Sequence, residues 1–200
     1  MYQDGRGFVP DERVDAALVM VLGQNPGADE ERDGRPFVGA TGDIMNTRYL
    51  PIAGLQRGVD VSVGNALRCR WRHTNGLPPE GVLKPALAHC TAAHLRVPPD
   101  TRLLVAQGGL ALRALGYEGY KVHDWRGFLV THGRYGAGPD VPALVTLHLA
   151  DLFRDPKMAM ACRRDWGKVR RYLDGTWPLP VPRARVYKPS GVADPWFDGA

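Results

Sequence analysis

The chain has 200 residues, of which 44% are hydrophobic and 24% are charged, as in a soluble globular domain with a buried core. Its formal net charge of +5 favours an anionic partner, nucleic acid before any other. No apolar run reaches the roughly 18 residues needed to span a bilayer, so a membrane-spanning helix is excluded and no membrane partner is expected.

The N-terminal segment and the cysteines predict a cellular compartment. Residues 1–15 are polar and broken by Gly and Pro, which is not the pattern of a secretory signal peptide. The chain has three cysteines, an odd number, so a disulfide framework is not expected. We therefore expect a protein of the cytoplasm, in a bacterial cell or a phage-infected host.

Four short runs rich in Val and Leu alternate with helical patterns. The runs cover residues 17–23, 59–67, 102–108 and 143–148. The helical patterns cover residues 41–55, with an interruption at Pro51, and residues 78–96, 108–117 and 158–175. Near-continuous apolar strands between helices predict an α/β fold of three layers, αβα, with a four-stranded parallel sheet as the middle layer. We expect this domain to span residues 1–175, followed by a Pro-rich C-terminal extension at 176–200.

Polar residues end these predicted strands. They are Gln24, Asn25, Asn65, Gln107 and His148. Ligands of parallel sheets bind at the carboxyl ends of the strands, where these side chains would share one rim. Each residue alone has an ordinary structural interpretation, but the shared rim favours a binding site.

The turn after the first strand reads Gly-Gln-Asn-Pro-Gly, residues 23–27. Pro26 restricts the backbone, and Gly27 permits a ligand to approach closely. The turn would present Gln24 and Asn25 in a fixed direction. Asn25 cannot act as a base, but it can hold a water or a polar ring edge. The alternative is a simple turn closed by an Asx hydrogen bond.

An aromatic ring and an amide are further candidates for binding a planar ligand. Phe37 lies in a loop between Gly34 and Gly39, where it would either stack on a ligand or plug the core. Asn65 offers a donor and an acceptor on one planar group, which matches the edge of a pyrimidine, or it bonds to backbone.

Five segments in chain order resemble the uracil-DNA glycosylase superfamily, most closely its bacterial and archaeal branch that often holds an iron–sulfur cluster. The segments are GQNPG, GRPFVGATG, VGNALRCRW with LPPEGVLKPALAHC, LLVAQGGLALRAL, and ALVTLHLADLFRDP. The resemblance spans about residues 17–175. The first segment also reads Asn-Pro-Gly, as in the mismatch-specific members.

The resemblance implies a role for each matching residue. Asn25 would hold the attacking water, and His148 would donate a hydrogen bond to the departing base. Phe37 would stack on a base flipped out of the helix, and Asn65 would read its polar edge. Gln24 and Gly27 would complete the base pocket.

The same resemblance implies contacts with DNA, the expected partner of a monomeric protein. Leu152 and Phe153 would form the wedge that fills the hole left in the duplex. Arg154 and Arg126 would contact phosphates.

The cysteines depart from the cluster-bearing pattern. Cys69 and Cys90 match the later pair of four ligands, but no cysteine precedes Cys69. We therefore expect no iron–sulfur cluster and no other cofactor. The spacing leaves a zinc site open as an alternative, with Cys69, His73, Cys90 and His94 as ligands.

Two further departures leave the reaction open. Leu149 and Ala150 follow His148 where Pro and Ser are expected, and the first motif has no acidic residue, so hydrolysis should be slow. Gly27 replaces a bulky ring that excludes 5-substituted pyrimidines in the most uracil-specific branch.

The leading hypothesis is an enzyme that hydrolyses the N-glycosidic bond of uracil or a related base in DNA. One alternative is a DNA-modifying transferase that joins an amino acid or amine to an activated 5-hydroxymethyl pyrimidine, as in some phage relatives. The other is an inactive member that binds DNA.

Overall fold

The fold is built on one five-stranded sheet. A computed structural model of the protein describes residues 7–71, 76–130 and 141–177. The strands are β1 (Val19–Gly23), β2 (Val61–Asn65), β3 (Leu103–Gln107), β4 (Leu129–Val130) and β5 (Ala143–Thr146). Their spatial order is β2-β1-β3-β5-β4. All neighbours pair in parallel except β4, which runs antiparallel to β5.

The four predicted parallel strands are confirmed, and the strand count is corrected from four to five. The added strand β4 has only two residues, which is too short for any periodic hydrophobic signal. It covers the outer edge of β5, so the parallel part of the sheet remains four strands wide.

The helices lie between the strands, as predicted. They are α1 (Ala28–Asp33), α2 (Gly39–Ile44), α3 (Leu50–Ile52), α4 (Glu80–His94), α5 (Gly109–Ala114), α6 (Val122–Trp125), α7 (Asp151–Arg154) and α8 (Ala159–Leu173). A π-helical turn, Met45–Tyr49, joins α2 to α3, and a 3-10 turn, Pro156–Met158, precedes α8. Residues 39–52 form one continuous helical stretch, and Pro51, which lacks an N–H, directly follows Leu50 near its end. Pro85, by contrast, lies inside α4.

Helices cover both faces of the sheet, which confirms the three-layer arrangement. Met20 and Leu22 of β1 point to one face, where they pack in a cluster with residues of α4 and α5. Val19 and Val21 point to the other face and pack with the π-helical turn and α8, including the fully buried Trp166. The alternation along a single strand therefore sends side chains into two separate cores.

The end of the described chain bears on the predicted domain boundary. The backbone N–H groups of Thr176 and Trp177 donate to the carbonyl of Arg171 at 2.8 and 3.1 Å. Trp177 also packs beside the second core cluster, which is the one that contains Val19, Val21 and Trp166. The rest of the extension, residues 178–200, lies outside the described residues, so the boundary at 175 stays a prediction. In the described ranges, none of the helices is long and apolar enough to cross a membrane.

Candidate active site

A cleft of about 680 Å³ opens at the carboxyl edge of the sheet. Eight of the residues predicted from the sequence line it: Gln24, Asn25, Gly27, Phe37, Asn65, His148, Phe153 and Arg154. They come from the ends of β1, β2 and β5, from the turn after β1, from the loop between α1 and α2, and from α7. The parallel pairing of β1 with β2 and β3, and of β3 with β5, brings these ends to one edge.

The turn after β1 forms one wall of the cleft. It is joined to the chain after β2 by two bonds, from Ala66 N–H to Gly23 O at 3.0 Å and from Leu67 N–H to Gln24 O at 2.9 Å. The side-chain nitrogen of Asn25 donates to Pro26 O at 3.2 Å, so its side-chain oxygen is the group that can accept from a water. The cleft thus begins with a tethered and rigid turn.

Gly23 explains how the aromatic ring and the amide come together. A Cβ atom at this position would lie 2.5 Å from Asn65 Oδ1 and 2.7 Å from Phe37 Cζ. Both side chains therefore occupy the space directly above the Gly23 backbone. Only glycine leaves room for this convergence.

Phe37 is held in an unusual backbone conformation. Its φ of 51° lies in the left-handed region, which a bulky residue rarely adopts. Its N–H donates to Glu30 Oε1, and Arg57 donates to its carbonyl at 2.7 Å. A Cβ on Gly42 would lie 1.9 Å from that carbonyl. The ring is 4% exposed, packs in the core and also lines the cleft, so core packing is observed and stacking on a ligand stays a prediction.

His148 is presented as a neutral hydrogen-bond donor. The backbone N–H of Ala150 donates to His148 Nδ1 at 3.2 Å, so the proton of the neutral ring is assigned to Nε2. Burial lowers the pKa of His148; Asp151 opposes this effect and Arg154 adds to it. The imidazole is therefore uncharged at neutral pH and has one N–H available.

Glu30 is a cleft residue that the sequence interpretation missed. As the third residue of α1, it accepts the Gly27 N–H at 2.6 Å through Oε2, which is the glutamate half of a capping box, since a glycine N-cap has no side chain. Its Oε1 accepts from Phe37 N–H and, at 3.5 Å, from the side-chain nitrogen of Asn65. The glutamate three residues after the turn is a capping signal, but its link to Asn65 depends on the fold.

A second missed group forms the rim that follows β2. Arg70, Trp71 and Leu77 line the cleft there, and Leu77 is 39% exposed. Arg70 pairs with Glu31 at 3.3 Å. These residues lie in the matching segments VGNALRCRW and LPPEGVLKPALAHC, and no role was predicted for them from the sequence.

The structure does not bring all of the predicted DNA contacts to the cleft. Leu152 is 8% exposed and packs in the second core cluster, whereas Phe153 is 54% exposed. Arg126 donates to both oxygens of the buried Asp165, at 2.9 and 3.0 Å. Arg154 lies at the cleft, and its guanidinium pairs with Asp151. Phe153 and Arg154 thus line the cleft, whereas Leu152 and Arg126 do not, and the DNA contacts stay a prediction.

The cysteine region does not fit an iron–sulfur cluster. The chain has three cysteines, and Cys162 packs on the opposite face of the sheet from Cys90. Beside Cys69 lies Phe8, which forms a β-bridge with it and whose ring centroid is 5.0 Å from that of His94.

The zinc alternative gains no support in the part of the chain that the structure describes, where no group of three or more His, Cys, Asp or Glu side chains is placed to hold a metal ion. His73 lies outside the described residues. The expectation of no cofactor stays a prediction.

An ion pair packs against the backbone of Asn65 on the side away from the cleft. The guanidinium of Arg68, which is 2% exposed, pairs with Asp11 and also donates to the carbonyl of Asn65. Burial raises the pKa of Asp11 to about 6, and Arg68 opposes that rise. The pair therefore ties the N-terminal segment to the strand end that carries the amide.

Comparison with known proteins identifies the family. The model of the uracil DNA glycosylase superfamily matches residues 10–198, and the chain belongs to that superfamily. It is similar to the type-4 uracil-DNA glycosylase of Pyrobaculum aerophilum, with 32% identity over 178 residues, 84% of this chain and 87% of that protein. The corresponding protein of Saccharolobus solfataricus is 25% identical over 177 residues, 84% of this chain and 77% of its own length.

Proposed function

We propose that the protein is a DNA glycosylase that hydrolyses the N-glycosidic bond of a uracil flipped out of DNA. The observation that carries this proposal is the convergence of Phe37, Asn65 and a neutral His148 in one cleft. Membership of the superfamily and similarity to proteins named type-4 uracil-DNA glycosylases support the choice of uracil.

Base recognition is assigned to Phe37 and Asn65. The ring offers an apolar face on which a flipped base stacks, and the amide offers one donor and one acceptor to its edge. Both side chains lie over Gly23, and this closeness supports assigning them to the same base.

Stabilisation of the leaving group is assigned to His148. As the bond between the sugar and the base breaks, its electron pair moves to the base, and negative charge builds on the carbonyl oxygens of the base. The Nε2–H donates to one of these oxygens without transferring its proton. Because the Ala150 N–H holds the ring in this tautomer, the donor is in place before the reaction begins.

The attacking water is assigned to Asn25. Its side-chain oxygen orients the water towards the sugar carbon that loses the base; the water oxygen bonds to that carbon, and the proton that the water loses passes to solvent. An amide does not accept a proton at neutral pH, so it contributes orientation rather than base catalysis. The absence of a carboxylate at this position predicts slow turnover.

DNA binding is assigned to Phe153 and Arg154 at the rim. Phe153 would fill the space that the flipped base leaves, and Arg154 would contact a phosphate. The net charge of +5 supports binding that weakens as salt rises.

The cleft beside Gly27 is open enough that uracil is not the only base to consider. A Cβ at Gly27 would meet Glu30 Oε2 at 3.5 Å, an ordinary contact, and no large side chain fills this position. The transferase and inactive alternatives gain no support from the comparisons, and both become outcomes of the test.

The test is mass spectrometry of single- and double-stranded oligonucleotides with one uracil, at enzyme excess and low salt. The expected product has lost the base, and His148→Ala should suppress its formation. An added group on a 5-hydroxymethyluracil substrate would favour the transferase. Unchanged mass despite tight binding would favour the inactive member.

A further inference from the structure

The Glu30 side chain joins the three walls of the base pocket. Its Oε2 accepts from Gly27 N–H at 2.6 Å, and its Oε1 accepts from Phe37 N–H and from Asn65 Nδ2 at 3.5 Å. One carboxylate therefore links the first turn, the stacking ring and the reading amide. Glu30 lines the cleft and is half-buried.

The contact with Asn65 determines which way its amide faces. The Nδ2 group has two hydrogens, one on the same side as Oδ1 and one on the opposite side. If the second hydrogen points to Glu30, the first hydrogen and Oδ1 form a face that can pair with a base. Flipping the amide would instead bring Oδ1 against the carboxylate, two groups that only accept hydrogen bonds.

We propose that Glu30 is a positioning residue for base specificity, which holds the Asn65 amide in the orientation that pairs with a uracil-type edge. This inference rests on the proposed function, because it requires a base in the pocket. Uracil presents an N3–H donor beside the O4 acceptor. In the fixed orientation, Asn65 Oδ1 accepts from N3–H and Nδ2 donates to O4.

The same orientation opposes cytosine, which presents the reverse pattern. Its N3 is an acceptor and its N4 amino group is a donor, so Oδ1 would face N3 and the Nδ2 hydrogen would face an N–H. Cytosine would require the flipped amide, which Glu30 disfavours. The distinction between the two bases thus depends on Glu30 as well as on Asn65.

The other neighbours of Asn65 fix its backbone and the position of its side chain. The exchange of Oδ1 and Nδ2 by an amide flip is the main change that they leave open. Arg68 donates to the Asn65 carbonyl, and Asn65 is 4% exposed. Gly23 lies directly below Oδ1. The backbone and the position of the side chain are therefore fixed by neighbours other than Glu30.

Glu30→Gln tests the inference because it keeps the size and removes the charge. A glutamine has one oxygen for the two backbone N–H groups of Gly27 and Phe37; when this oxygen accepts from Gly27, the NH₂ group faces Asn65 and makes the flipped orientation accessible. The control is Asp33→Asn, which neutralises an exposed carboxylate on the same helix that accepts from Arg32 instead of Asn65. Folding of each variant is checked by thermal unfolding.

The readout is equilibrium binding of single-stranded oligonucleotides that carry one non-cleavable 2′-fluoroarabino uridine or cytidine. We expect wild type and Asp33→Asn to bind the uridine oligonucleotide more tightly than the cytidine one. Glu30→Gln should lower the ratio of the uridine affinity to the cytidine affinity by about tenfold, which corresponds to the loss of one hydrogen bond that distinguishes the two bases. Glu30→Ala should lower the same ratio.

The alternative outcomes separate the inference from the proposed function. Equal weakening of both oligonucleotides by Glu30→Gln and Glu30→Ala would overturn the inference and leave Glu30 a purely structural cap. Loss of folding in both variants would also count against it, because the amide orientation would then not be the principal role. A wild type without any preference for uridine would overturn the proposed uracil pocket itself.

Discussion

Replacing His148 by alanine removes the proposed donor to the departing base. The lost interaction is one preorganised hydrogen bond to developing negative charge, which costs about 2.7–4 kcal/mol, or roughly a hundredfold to a thousandfold in rate. The substitution also leaves the Ala150 N–H without the acceptor that it has now, which destabilises the fold by about 1 kcal/mol. The rate should therefore fall far more than the stability.

The dependence on pH provides a second check of the same residue. Burial lowers the pKa of His148 below 6.5, so the neutral donor predominates at neutral pH and the rate should change little there. Protonation of Nδ1 on acidification would set its new N–H against that of Ala150. The His148 contribution to stability is thus present above 6.5 and is lost as the pH falls through the lowered pKa.

The assay is single-turnover excision from a uracil oligonucleotide at enzyme excess. His148→Gln serves as the matched variant, because its amide can still donate and should retain part of the rate. A His148→Ala rate within about threefold of wild type would refute the reasoning, since that corresponds to less than about 1 kcal/mol.

Three other substitutions test separate contacts. Gly23→Ala should weaken binding of uracil oligonucleotides and cost about 1–3 kcal/mol in thermal unfolding, because its Cβ would lie 2.5 Å from Asn65 Oδ1; normal binding would contradict the convergence above Gly23. Phe153→Ala should reduce excision from duplex more than from single strands in a time course, since only a duplex has a hole to fill; equal losses would refute the wedge. Asp11→Ala should cost about 3–5 kcal/mol in urea unfolding, because it leaves the buried charge of Arg68 unpaired; Asp11→Asn is the milder control, and no loss would show that the pair is dispensable.

The parallel sheet and most of the cleft could be predicted from the sequence because both depend on simple patterns. Continuous apolar runs indicate strands buried on both faces, and the ends of parallel strands necessarily meet at one edge. Asn65 and His148 could therefore be placed together although they are far apart in the chain. The two-residue strand β4 has no such pattern and was missed.

The differences between the predicted site and the structure depend on features that only the folded chain shows. Leu152 and Phe153 are adjacent, and only the short helix α7 decides which of them points inward. Arg126 looks like a free cation in the sequence, but Asp165 pairs with it across 39 positions. Glu30 was missed because a capping residue gains its second role only when β2 brings Asn65 beside it.

The central claim is that this cleft removes uracil from DNA, and mass spectrometry of a uracil oligonucleotide after incubation with the protein tests it most directly. The account predicts a product that has lost the base, formed by wild type and strongly suppressed in His148→Ala. An intact oligonucleotide at enzyme excess, or a product that has gained mass, would contradict it.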